Sequence, residues 1–417
     1  MSQTATSWVG IDWGHSKHYV CILDADGKQL ASFEVPHSNA GLSQLLGKLQ
    51  ETGTIAGVAV ETSRGPLILK LLHAGFTVYI VNPKQSAEWR KACSVGEAKS
   101  DRTDSRCLAQ GLRLYHEGLR ELSPDDPLTR ELAMLCEDEC KLIRQQTALV
   151  LRLQATLKEY YPEAPAWFDD WASATSWDFV LTFPDAASLH AARKSKLIRF
   201  LKAHHVGLSP TWQQRLDTAR TPSGWPSDEA VVRAKSLLAI STARELRTNA
   251  DCLRHYRKRI EELYAGHPDA PIFSSLPGVA GKLGPRLLSH FGADRRRYES
   301  AASLQQLSGV VPVPRSSGNR QRAVMRRGCQ RDFRNTMFLF ACCSMKRCGW
   351  ARAVYDQAKA AGKTHGQAAR KVGEKWLRII YGMWLHRVPY DESIYLTSLI
   401  RRRSPLVADA RSWTGGA

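Results

Sequence analysis

Two short apolar runs near the amino terminus each lead into a carboxylate: Val9-Gly10-Ile11 runs into Asp12, and Val58-Ala59-Val60 runs into Glu61. An apolar run of this length reads as a buried strand, and an acid at its end is costly to desolvate unless a partner or a cation meets it. In a sheet whose strands lie side by side, two such acids can converge at one mouth.

The neighbouring pattern supplies the rest of that sheet. Residues 8–11, 19–23 and 29–35 are apolar or alternating, and the second pair is separated by the turn composition Asp24-Ala25-Asp26-Gly27. They predict a three-strand meander. A helical pattern over 40–49, a run over 55–60, a helix near 67–74 and a short run over 77–81 follow. Strands alternating with helices after a meander predict an α/β domain with a mixed sheet, assigned to residues 1–125.

Two more acids join the candidate cleft. In Lys99-Ser100-Asp101-Arg102-Thr103-Asp104 the aspartates are three residues apart and share a face if the segment is helical. Four carboxylates in one cleft repel one another unless cations neutralise them, and all-oxygen donors suit magnesium or manganese. Two ions about 4 Å apart would bind the attacking and leaving oxygens of an in-line phosphoryl transfer. Taken singly, each acid has a plainer role: Asp12 in a turn, Glu61 at a helix start, Asp101 or Ser100 as an N-cap, Asp104 as a first-turn acid.

Beyond the first domain, Leu132, Leu135, Leu142, Leu149 and Leu153 recur at three, four or seven residues. They predict a long helix over 129–160, half of an antiparallel coiled coil with residues 241–264, where Leu246, Leu253, Ile260 and Leu263 repeat alike. Trp167, Trp171, Trp177, Trp212 and Trp225, with several prolines, predict a small helical subdomain with its own aromatic core, so that 126–268 form a second segment. The third, 269–403, opens on a Leu276-Pro277-Gly278-Val279 turn between helices. Its glycine either frees N–H groups to face a phosphate or only connects. From 304 the pattern predicts a loop followed by several helices, so the carboxyl-terminal domain reads as mostly α, with 404–417 a tail.

Charge indicates the partner. Lys and Arg number 59 against 40 Asp and Glu, a formal net charge of +19 with a pI near 9.6. From residue 282 to 403 there are 25 basic residues against 7 acidic ones, so that third is the expected polyanion surface. Lys17, Arg102, Arg315, Arg322, Arg326 and Arg334 are candidate phosphate contacts, since guanidinium groups bind phosphate bidentately. No apolar run approaches a bilayer span and the start MSQTATSWVG lacks a signal-peptide pattern. A soluble, cytoplasmic protein is expected, with no membrane partner. Ten scattered cysteines, without a CxxC pair, read as reduced thiols rather than a zinc site.

The wording of GIDWGHSK (10–17), AVET (59–62) and KSDRTD (99–104) resembles the amino-terminal domain of the DEDD transposases, insertion-sequence recombinases that include the pilin-gene invertase. The resemblance implies a RuvC-like, ribonuclease-H-like α/β fold and carries the four acids of that family onto Asp12, Glu61, Asp101 and Asp104, with Mg2+ or Mn2+ as cofactor. Residues 307–318 and 326–334 resemble the carboxyl-terminal domain of the same family, where a serine before a glycine is the nucleophile. Ser317 matches it, with Ser316 beside it as the alternative. Read from the residues alone, Ser316-Ser317-Gly318-Asn319 is a polar loop. The resemblance covers nearly the whole chain, the tryptophan-rich stretch matching only longer members. It further implies double-stranded DNA (element ends and target) as substrate, a structured guide (bridge) RNA, a homodimer assembling to a tetramer, and a prokaryotic, nucleoid-associated location. Rival readings are a hydrolytic junction-resolving nuclease that never uses Ser317, a nucleic-acid-binding regulator with a dead nuclease fold, and a sugar-kinase-like or actin-like ATPase. The last lacks a second phosphate loop here.

Overall fold

Three antiparallel strands form the meander: β1 (Thr6–Trp13), β2 (Lys17–Leu23) and β3 (Gln29–Pro36). The helix α1 (Asn39–Glu51), capped by the Ser38 hydroxyl accepting from Gly41 N, returns the chain to β4 (Thr54–Val60), which pairs parallel with β1. α2 (Pro66–His73) leads to the short parallel strand β5 (Val78–Ile80), giving a mixed sheet in the order β3-β2-β1-β4-β5. A computed structural model describes residues 6–93, 100–219, 221, 224–317 and 320–404. It divides into two units between Pro124 and Asp125.

The sheet of the first unit is covered on both faces, which is why its central strands read as continuous apolar runs. On one face Val9, Ile11, Val58 and Val60 pack with Leu42, Leu45 and Leu49 of α1 and Leu67 and Leu71 of α2. On the other, Ala59, Tyr79 and Val81 meet Trp89 of α3 (Pro83–Cys93) and Leu108 and Leu112 of α4 (Asp101–Tyr115). α3 stands where the sequence reading placed no element.

In the second unit α5 (Pro127–Tyr160) and α10 (Glu229–Ala265) form the predicted helical pair. Ion pairs Glu131–Arg259, Glu139–Arg257 and Arg152–Glu245 step in opposite directions along the two helices, so they are antiparallel. α10 begins twelve residues before the predicted start, because Asp228 caps it by accepting from Ala230 N at 2.8 Å. Between them α6 (Ala174–Thr182), α7 (Ala186–His190), α8 (Lys194–Ala203) and α9 (Pro210–Thr218) enclose an aromatic core of Trp167, Trp171, Trp177, Phe179 and Phe183. Trp212 packs at its edge, but Trp225 is 65% exposed and does not belong to that core, lying in the proline-flanked connection to α10.

The remaining helices, α11 (Ala270–Ser274), α12 (Ala280–Phe291), α13 (Ala301–Ser308), α14 (Arg331–Ser344), α15 (Gly349–Ala360), α16 (His365–His386) and α17 (Glu392–Arg401), share a second core around Phe291, Phe333, Phe340, Trp350, Trp376 and Trp384. One expectation changes here. Gly278 takes φ +77, and a Cβ on it would stand 2.7 Å from the Cys343 carbonyl oxygen, so this glycine permits close packing on α14. The polar stretch predicted as loop is a β-hairpin, β6 (Val313–Ser317) with β7 (Arg320–Val324). Among the described residues its strands pair only with each other, and Pro314 and three arginines hide the two-residue alternation by which a strand is recognised. Gly318, Asn319, Lys99 and residues 405–417 of the expected tail lie outside the described residues.

Candidate active site

Ile11 pairs with Val60 at the end of the parallel ladder between β1 and β4, so the next residues, Asp12, still paired with Tyr19 of β2, and Glu61, just past β4, stand at the same end of that ladder. Both are half-buried. α4 delivers the other two acids. Its N-cap is Ser100, whose hydroxyl accepts from Thr103 N at 3.1 Å, and Asp101 and Asp104 occupy the first turn, where the helix dipole favours negative charge. The helix can lie this close because β1 carries Gly10. A Cβ there would stand 2.1 Å from the Ser105 carbonyl oxygen and 2.4 Å from Ala109 N.

Asp12 feels the other three acids. Burial pushes the Asp12 carboxyl up from 3.8 to about 6, and Asp104, Asp101 and Glu61 each add to the rise, with Arg90 opposing it. Asp104 is 5% exposed, and Arg90 of α3 grips it through Nε to Oδ1 and through Nη2 to Oδ2 at 2.9 Å. Arg90 is positioned by its neighbour Trp89, whose ring fills the space a side chain at Gly111 would need, 2.1 Å from a Cβ there. The sequence holds a cue for α3 in Pro83 followed by buried Ser86 and Trp89 three apart, but nothing local turns Arg90 toward Asp104.

Carboxylates alone make a donor set that fits a hard divalent cation. Among the described residues, no three aspartate, glutamate, histidine or cysteine side chains are gathered tightly enough to hold a metal ion as they stand. Both oxygens of Asp104 are engaged by Arg90 instead.

The basic candidates fall into different surroundings. Lys17 donates to Glu34 at 2.8 Å on an exposed edge. Arg102 lines a cavity with Arg106 beside α4. In the second unit Arg315 and Arg322 face each other across the hairpin, both exposed, an arrangement of like charges that costs stability. Ser317 ends β6 opposite Arg320, and exposed Ser316 pairs with Gln321. Arg326 is half-buried with an Nε that finds no hydrogen-bond partner among the described residues, while its carbonyl accepts from Arg334 Nη1 at 3.2 Å. All ten cysteines are free thiols, and no helix among the described residues is long and apolar enough to cross a membrane.

Known proteins resemble the chain along most of its length. A DEDD-type transposase model matches residues 9–162, and the model of the transposase IS116/IS110/IS902 family matches residues 270–356. The mini-circle putative transposase for IS117 from Streptomyces coelicolor is 28% identical over 95% of this chain and 98% of its own. An insertion element IS900 protein from Mycobacterium paratuberculosis is 25% identical, covering 90% of this chain and 95% of its own. Among solved structures, Thermus thermophilus RuvC in complex with a Holliday junction substrate aligns with 29% of this chain and all of its own at 15% identity and a TM-score of 0.23.

Proposed function

The chain belongs to the IS116/IS110/IS902 transposase family, and on that premise we propose that it cuts and rejoins DNA through a covalent serine–phosphate intermediate, with four carboxylates as holders of a divalent cation. The observation that carries this reading is geometric: Asp12 and Glu61 stand at the same end of the β1–β4 ladder, and α4, which bears Asp101 and Asp104 in its first turn, lies against β1 at Gly10. A carboxyl that is partly buried beside other acids is a candidate for holding positive charge. A ribonuclease-H-like reading of the first unit is supported by its sheet order, with β1, β2 and β3 antiparallel and β1, β4 and β5 parallel.

Asp12, Glu61, Asp101 and Asp104 would hold Mg2+ or Mn2+, which when bound polarises the scissile phosphodiester and offsets the charge that develops on it. Arg90 fixes the orientation of Asp104. The Ser317 hydroxyl oxygen attacks phosphorus: an Oγ–P bond forms, the bond to one sugar oxygen breaks, and the serine proton ends on the departing sugar hydroxyl. The phosphodiester energy stays in the serine ester, so a sugar hydroxyl of another strand reverses the step and rejoins DNA. Arg315 and Arg322 contact a strand phosphate whose charge relieves their mutual repulsion, and Lys17, Arg102, Arg326 and Arg334 are further backbone contacts. A structured guide RNA and a dimer assembling to a tetramer belong to the same reading. So does the division into segments 1–125, 126–268 and 269–403.

Trapping tests it. The chain is incubated with the end DNA of its element, guide RNA and magnesium, and protein–DNA adducts are resolved under denaturing conditions. A wild-type adduct lost in both Ser317→Ala and Asp12→Ala is the expected result. Cleavage that yields no adduct and survives Ser317→Ala would replace the serine mechanism with hydrolysis by water.

A further inference from the structure

Away from the end of β6 that carries Ser317, the base of the hairpin and the first turns of α16 enclose a cavity of about 310 Å3. Its two walls differ in chemistry. Val310, Pro312, Val324 and Met325 make one apolar wall, on which Met325 is 50% exposed. Lys363, Gln367, Arg370 and Lys371 make the other. Gln367, Arg370 and Lys371 share a helix face by their spacing of three and four, and Lys363 directly precedes the Thr364 cap.

Among the described residues none of these three cations is in an ion pair. The acid in the lining, Glu374, accepts instead from Arg378 Nη2 at 3.1 Å, although Arg370 lies one turn before it. Arg370 is half-buried, and burial, with the Arg334 cation of α14 adding, holds its guanidinium below its ordinary value. A guanidinium held partly out of water beside another cation, with the one acid of the lining turned to Arg378, is costly until an anion enters.

We infer that this cavity holds one nucleotide unit of a nucleic-acid strand, its phosphate against Lys363, Arg370 and Lys371 and its sugar and base against the wall of Val310, Pro312 and Met325. Inorganic phosphate would leave the apolar wall empty, and a purely apolar ligand would leave the cations unmet. The volume is at the lower end of the roughly 300–1,000 Å3 of small-ligand sites, the right scale for one nucleotide. Resting on the function proposed above, the location also makes sense. Ala323 and Val324 pair with Pro314 and Val313, at the opposite end of the hairpin from the Ser317–Arg320 pair. At about 3.4 Å per residue the strand between them spans roughly 13 Å, a few nucleotides of a strand running along the hairpin. The cavity thus grips the strand a short distance from the phosphodiester that Ser317 attacks.

The test is equilibrium binding of the full chain to labelled duplex DNA and to labelled single-stranded RNA over a series of salt concentrations. The variants are Arg370→Gln with Lys371→Gln, and Met325→Glu, which puts an anion on the apolar wall. The charge-matched control is Arg199→Gln with Lys202→Gln, two exposed cations of α8. With at least one polymer, the first pair is expected to lower affinity about tenfold and to flatten the plot of log K against log salt by about 0.9 per lost phosphate contact. Met325→Glu weakens the same polymer, and the control does neither. Arg370→Lys, which keeps the charge, retains the slope and guards against misreading a folding defect. The polymer that responds identifies the strand. A first pair that behaves like the control overturns the inference while leaving the proposed function standing, as does displacement of free AMP alone with both polymer slopes unchanged. Wild-type protein that binds neither polymer instead sinks the proposed function itself.

Discussion

Gly10 and Arg90 carry more of the candidate site than their residue types suggest. The absent Cβ of Gly10 lets α4 lie against β1, and the atoms in the way are backbone, which cannot rotate aside. Gly10→Ala is therefore expected to push α4 outward, cost about 1–3 kcal/mol of stability and abolish DNA cleavage even where the protein still folds. Circular dichroism in urea and a cleavage assay on the same preparation check this. Arg90→Gln leaves the buried Asp104 carboxylate without its cation, and breaking such a pair costs about 3–5 kcal/mol when both partners are buried. Because the Arg90 side chain keeps 26% exposure, a loss of about 2–3 kcal/mol is expected. Added Mg2+ should raise the thermal midpoint of this variant more than that of the wild type. An equal response in both would mean that Asp104 takes no part in holding the ion.

Among the elements, the pairing of α5 with α10 separates packing from charge. Exposed Arg152–Glu245 joins the two helices at 3.0 Å in full reach of water. Glu139 is 3% exposed and lies between Arg257 of α10 and Arg286 of α12, at 2.9 and 2.8 Å, so one carboxylate ties three helices. Glu139→Ala strands the buried Arg286 guanidinium, while Arg257 turns to water, and is expected to cost about 3 kcal/mol, whereas Glu245→Ala costs under about 1 kcal/mol. Urea unfolding of the two variants decides it, and similar losses would mean that leucine packing alone sets the pair. The leucine repeats of both helices were legible because a seven-residue spacing is a property of the chain, and Leu149, Leu153, Leu246 and Leu253 are indeed buried. The hairpin was not legible, since its arginines and Pro314 do not alternate with apolar residues.

For the whole molecule, pH is the simplest global variable. The His290 ring stacks on Phe333 at 4.5 Å, and burial lowers it from 6.5 to about 4, against Asp332 and with Arg286 and Arg297 adding. The unfolded chain takes up this proton near pH 6.5 while the folded chain resists it to about 4. Stability from this group is thus complete above pH 6.5 and is lost as pH falls through the interval between the two values, by at most roughly 3 kcal/mol. The urea midpoint of the wild type should fall more steeply from pH 7 to pH 5 than that of His290→Gln. Parallel curves would assign acid lability to other groups.

The sequence by itself determined the opening meander, the mixed α/β order, the two long helices and a basic carboxyl-terminal third, because periodicity and net charge are carried by the residues in order. It also put the four acids at strand ends and on one helix face. Only tertiary structure decided which groups meet them: Arg90 reaching Asp104 from α3, Gly10 admitting α4, Trp225 left in solvent and Gly278 taken up by Cys343. Those contacts join segments distant in sequence, and their energy depends on which surfaces exclude water together, a property no local stretch of residues possesses.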